Sequence, residues 1–101
     1  GASVEIDWYA GPPATDNCPE LVNLARKVAN LQGFEAVEAQ GSLAGEDFAF
    51  YQEEISGVFV LVGSGKSYAN HNAKFQVKPQ AIYPTAVYLA ELVEKFLQNE
   101  K

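Results

Sequence analysis

The chain has 101 residues, 48% of them hydrophobic and 12% aromatic, with a formal net charge of −6 and an isoelectric point of about 4.6. That length fits one small domain, and that composition favours a packed core over disorder. The sequence has no basic stripe to drive nucleic-acid binding, no apolar run near the roughly 20 residues of a membrane span, and no basic start followed by an apolar run that would read as a signal peptide.

"ASVEIDWY" alternates Val4, Ile6 and Trp8 with Glu5, Asp7 and Tyr9, the period of a strand with one buried face. "AGPPATDN", residues 10–17, is a stiff connector, because Pro12-Pro13 cannot form a tight primed turn. "CPELVNLARKVANLQG" predicts a helix. Asn17 or Cys18 caps it, Pro19 and Glu20 suit its first turn, Leu21, Leu24, Ala25, Val28 and Leu31 recur at helical spacing, and Gly33 stops it. "FEAVEA" predicts a short strand, "GSLAG" a loop, and "EDFAFYQEEI" a short helix with two carboxylates in its first turn.

"GVFVLVG" is continuously apolar and β-branched, as expected of a strand buried on both faces. "SGKSYANHNAKFQVK" is a long loop with room for a brief strand at "KFQV". "PQAIYPTAVYLAELVEKFLQ" predicts a closing helix with Ala86, Leu89, Ala90, Val93 and Leu97 on one face and Pro84 starting or kinking it. From the first helix onward the order alternates as in an α/β layer. Three helices and two or three strands are thin for a self-sufficient sheet.

Four stretches together resemble one group of enzymes: "VEIDWYAGPPATDNCPEL", "LAGEDFAFYQEEISGVFVLVGSG", "HNAKF" and "AIYPTAVYLAELVEKFL". Their order, and the Gly-Glu-Asp-Phe-Ala piece followed by His-x-x-x-Phe, resemble the metal-dependent amidohydrolases. These include N-acyl amino acid hydrolases, hippurate hydrolases, auxin-conjugate hydrolases and N-acetyldiaminopimelate deacetylases, within the aminoacylase and metallo-carboxypeptidase superfamily. The resemblance implies an α/β fold: a partial three-layer αβα domain preceded by one strand of a lid or dimerisation domain. Residues 1–9 are then the last lid strand, 10–17 the interdomain connector, and 18–101 the C-terminal half of the catalytic domain of a longer enzyme.

The resemblance further implies a metal-activated water that cleaves the amide of an N-acyl amino acid or related conjugate. It implies two divalent ions per full-length subunit (zinc, manganese or cobalt), with His71 as this chain's one metal ligand. The catalytic base belongs to the part upstream, so no catalytic residue is expected here and the chain alone should be inactive. The expected partners are the small amide substrate and the N-terminal part of the parent enzyme, with a homodimer allowed and neither nucleic acid nor membrane. The expected location is cytoplasmic, which the single Cys18 suits. Two departures bear on substrate class: Ala73 stands where the family usually has proline, and Lys78, Pro79 and Gln80 stand where acidic residues are frequent.

Each candidate also has a plainer reading. By composition alone His71 is a loop histidine with no role. Glu46 and Asp47 are either helix-start residues favoured by the dipole or carboxylates that orient metal ligands. Gly63 and Gly65 either permit a tight turn or let backbone approach substrate. Asn70 and Asn72 either hold the loop or hydrogen-bond substrate. Lys74 and Phe75 read as loop anchors, and Cys18 as structural. The competing function is a stand-alone α/β structural or interaction domain without catalysis.

Overall fold

A computed structural model describes residues 1–99 of the chain. Glu100 and Lys101, which end the expected 18–101 unit, lie outside the described residues. Pro19 needs no N–H at the first helical turn, and from it α1 runs Pro19–Leu31. Gly33, at φ +79°, supplies the left-handed position that ends α1, and the Phe34 N–H returns to the Ala29 carbonyl at 2.9 Å. α2 spans Phe48–Glu54 and α3 spans Pro79–Asn99. Pro84 lies within α3 and has no N–H to give the preceding turn, while the Thr85 hydroxyl donates to the Ala81 carbonyl at 2.6 Å.

α1 packs on α3, and their contact holds most of the core. Ala25 and Val28 of α1 and Tyr88 of α3 are buried, as is Ala49 of α2. The Tyr88 hydroxyl donates to the Ala25 carbonyl at 3.3 Å, and its ring meets Phe34 edge-to-face at 5.7 Å. Burial pushes the Tyr88 hydroxyl above its ordinary value, which keeps it protonated and able to donate.

The expected α/β architecture is overturned: among the described residues there are three helices and no strand. Residues 34–39 and 57–63 have no regular structure, and no backbone hydrogen bond joins one to the other. The physical reason is that a strand exists only as part of a ladder, whereas a helix closes its hydrogen bonds internally. The same holds for residues 1–9, where Val4, Ile6 and Trp8 are 81%, 78% and 86% exposed, and for residues 74–77. Without a sheet there is no three-layer stack.

Two smaller corrections concern the helices. α2 begins at Phe48, so Glu46 and Asp47 precede its first turn instead of lying in it. On α3 the residue against α1 is Tyr88, whereas Leu89, Val93 and Leu97 are about half exposed. α3 is apolar around much of its circumference, so spacing alone did not select the face.

The surface shows how incomplete the packing is. The chain exposes 8933 Å², against about 5,600 Å² for a folded monomer of its mass. Its radius of gyration is 17.8 Å, against about 13 Å for a compact domain of this length. It measures 65 × 38 × 19 Å, a slab rather than a globule.

Candidate functional site

The best-held junction lies where the connector meets α1. The Asn17 side chain accepts from the Phe59 N–H at 2.7 Å and donates to the Phe59 carbonyl at 2.9 Å. It thereby bonds both backbone groups of one residue as a neighbouring strand would. The Gln52 amide donates to Asn17 Oδ1 at 3.2 Å and to the Gly57 carbonyl at 3.3 Å, and its oxygen accepts from the Asp16 N–H at 3.1 Å. The Cys18 N–H also reaches the Gly57 carbonyl, at 3.0 Å. Gly57 permits this closeness: a Cβ there would lie 3.1 Å from the Phe48 ring.

Asn17 was expected only as a helix cap, and Gln52 was not singled out at all. Their partners lie up to 42 residues away in sequence, where no local pattern points to them. The Cys18 thiol donates to the Glu20 carboxylate at 3.0 Å. That bond, and then Glu20's own backbone N–H, hold the Glu20 carboxyl below its ordinary value.

Beyond residues 57–63 the chain enters the loop that carries His71. The Gln76 N–H donates to the Ser67 hydroxyl at 2.8 Å and closes the loop at its base. The Asn72 N–H bonds the Ala69 carbonyl at 3.2 Å, making a turn with Asn70 and His71 at its centre. Asn72 Oδ1 accepts from the Lys74 N–H at 2.9 Å, and the Phe75 N–H bonds the Asn72 carbonyl at 2.9 Å. Asn72 therefore holds the loop, while Asn70 is exposed. The Lys74 ammonium lies 5.8 Å from the Tyr68 ring centre.

His71 is exposed, and it is the only non-glycine residue with positive φ among the described residues, at +66°. That position in a turn ordinarily takes glycine or asparagine, and a side chain there costs about 1–2 kcal/mol.

The other candidates are dispersed. Glu46 Oε1 accepts from the Phe48 N–H at 3.2 Å and so binds the start of α2, while Asp47 is exposed at that helix's cap position without a capping bond. Gly65, at φ +92°, lies against the Lys78 stem, where a Cβ would be 2.9 Å from Lys78 Cδ. Gly63 has open space around it. Among the described residues no three His, Cys, Asp or Glu side chains are grouped closely enough to hold a metal ion. A whole metal centre therefore does not fit the described residues, although the exposed His71 imidazole can give one nitrogen to an ion held elsewhere as well.

An apolar cleft of about 420 Å³ opens beside α1. α1, through Val22, Ala25 and Ala29, and Tyr88 line it together with two stretches of chain, residues 34–39 and 58–63. Among the described residues no helix is long and apolar enough to cross a membrane.

Comparison with known proteins gives a consistent result. Residues 2–95 match the model of peptidase family M20/M25/M40. The chain is 35% identical over 101 residues to N-acetylcysteine deacetylase of Bacillus subtilis (strain 168), covering 100% of this chain and 27% of that protein. It is 29% identical over 96 residues to N-acetyl-L-cysteine deacetylase of the same organism, covering 95% of this chain and 23% of that protein. It is 29% identical over 80 residues to N-acetyldiaminopimelate deacetylase of Leuconostoc mesenteroides, covering 78% of this chain and 21% of that protein. The chain thus spans about a quarter of the length of these relatives. No solved structure matches it significantly.

Proposed function

This chain belongs to peptidase family M20/M25/M40, and from that premise we propose that it is the C-terminal part of a metal-dependent amidohydrolase acting on N-acyl amino acids. The observation that carries the reading is the full-length match of this chain to a quarter of a protein named as an N-acetylcysteine deacetylase. In this reading residues 1–9 belong to a lid, residues 10–17 cross between domains, and residues 18–101 complete the catalytic domain. The slab shape and the excess exposed surface support a part over a stand-alone domain.

His71 gives one imidazole nitrogen to a divalent ion whose remaining ligands, and whose general base, come from the rest of the protein. When bound, such an ion polarises the amide carbonyl and lowers the pKa of a water molecule. This chain's own part is to hold an exposed His71 on a closed, hydrogen-bonded loop. Gly63 and Gly65 leave backbone near that loop accessible to substrate, and Asn70 is the exposed amide placed to meet it. Glu46 serves first to bind the start of α2, and orienting a ligand is the role of Glu46 and Asp47 in the assembled enzyme. The sole Cys18 is consistent with a cytoplasmic location.

The test is an assay of the full-length protein against a panel of N-acetyl and N-benzoyl amino acids, with and without a chelator. Turnover that chelation removes and zinc, manganese or cobalt restores is the expected result. The 101-residue chain should give none with any of the three ions, because one ligand cannot build a catalytic centre. Metal-dependent turnover by the chain alone would overturn the reading.

A further inference from the structure

Charge is segregated along this chain. Its formal net charge is −6, yet no aspartate or glutamate stands between Glu54 and Glu91, and that stretch holds Lys66, Lys74 and Lys78. All three lysines are exposed, and they lie on the loop that carries His71 or at its base. Two of them are placed by specific contacts. The Lys74 N–H is held by Asn72 Oδ1 at 2.9 Å, and its ammonium lies 5.8 Å from the Tyr68 ring centre. Tyr68 and Lys74 therefore flank the Ala69–Asn72 turn on which His71 stands. The Lys78 stem lies against Gly65, where a Cβ would be 2.9 Å from Lys78 Cδ, so glycine is what admits the stem. The bond from the Gln76 N–H to the Ser67 hydroxyl draws the two sides of the loop together, with Lys66 and Lys78 at its base. Three like charges on one loop, with no acid in the stretch to offset them, concentrate positive potential that draws and orients anions. An ammonium is a point charge with three donors and suits a carboxylate approaching from several directions.

We propose that this lysine face receives a second carboxylate of the substrate, so that the preferred substrate is an N-acyl amino acid with an extra negative charge on its side chain or on its acyl group. The proposal rests on the reading of the chain as part of an N-acyl amino acid hydrolase and names the substrate class within it. Lys74 and Lys78 are specificity residues: they meet a charge remote from the scissile amide and take no part in breaking it. Lys74 is tied through Asn72 to the turn that carries His71, which keeps the anion-binding charge beside that histidine.

Calorimetric titration of the metal-free full-length protein at neutral pH, where no turnover competes with binding, tests it with two matched pairs. N-acetylglutamate is set against N-acetylglutamine, and N-succinylalanine against N-butanoylalanine. In at least one pair the dianion should bind about tenfold more tightly than its neutral-tailed partner, an advantage that fades as salt is raised. The pair that responds tells whether the second charge sits on the side chain or on the acyl group. The advantage should collapse toward parity in the double variant Lys74→Gln, Lys78→Gln and return in Lys74→Arg, Lys78→Arg, which keeps both charges. Parity in both pairs overturns the proposal, and so does failure to bind either dianion; both are read on the unsubstituted protein and do not depend on a variant folding. An advantage that survives the glutamine substitutions overturns it as well. The metal-loaded protein is then assayed on the same four compounds. Turnover without a dianion preference sinks the lysine face alone, and the preference without turnover sinks the proposed activity alone.

Discussion

The corner where α1 meets α3 and the loop from Ser67 to Gln76 are built by opposite means. The corner is closed by apolar contact around Val28, Phe34 and Tyr88, with one hydroxyl bond to the Ala25 carbonyl. The loop is exposed at every residue and is shaped by backbone and side-chain hydrogen bonds through Ser67, Ala69 and Asn72. A region of the first kind carries stability, since its free energy comes from area removed from water. One of the second kind carries geometry, since exposed hydrogen bonds exchange with water at little net gain. Substitutions in the two places should therefore register in different measurements.

The largest effect should fall in the loop and leave stability untouched. In the full-length protein His71→Ala should lower turnover on the order of a thousandfold or more, because the ion that activates water loses a ligand. Measured on the metal-free proteins, its melting curve should match that of the unsubstituted protein. Near-normal turnover, with metal content unchanged, would remove His71 from the metal site and blur the contrast between the regions.

Tyr88→Ala is the reciprocal case and should cost about 3 kcal/mol of stability, read from denaturant unfolding of the full-length protein. Turnover per folded molecule should hold. A loss well under 1 kcal/mol would mean that the α1–α3 corner is not where the stability lies.

Asn17→Ala tests the junction between the two regimes. It strips both groups of Phe59 of their partner, at a cost of about 1–3 kcal/mol. Asn17→Asp keeps an acceptor for the Phe59 N–H and loses the donor to its carbonyl, so it should lie between the two. An alanine variant as stable as the parent would show that water replaces the amide freely.

The smallest effect has the opposite sign. His71→Gly relieves the left-handed backbone position and should stabilise the metal-free full-length protein by up to about 1 kcal/mol, seen as a small rise in Tm, while abolishing turnover of the metal-loaded protein as the alanine does. A fall in Tm would mean that the imidazole contributes to the loop's stability.

How much was legible in the sequence follows from where each element keeps its partners. α1 was legible because Pro19, the apolar spacing and Gly33 all act within one turn of the residues they affect. Residues 34–39 and 57–63 carry strand patterns, but a pattern records which faces want burial, and a ladder needs a second edge that this chain does not place beside them. The face of α3 was misread because apolar residues surround the helix, so burial is decided by what lies opposite, here Ala25. His71 stood out as the sole histidine and through its resemblance motif. Its left-handed backbone is set by the Asn72–Ala69 turn, for which the flanking asparagines were the one available sign. Asn17 showed no functional signal, because its bond to Phe59 exists only after the chain has folded back.

The slab geometry has a hydrodynamic consequence. A body 65 Å long and 19 Å thick meets more drag than a sphere of the same mass. The 101-residue chain should therefore elute from a sizing column ahead of globular standards of 11.0 kDa while still a monomer. Light scattering or sedimentation equilibrium, which weigh the particle regardless of shape, will separate elongation from self-association in a way that elution volume alone does not.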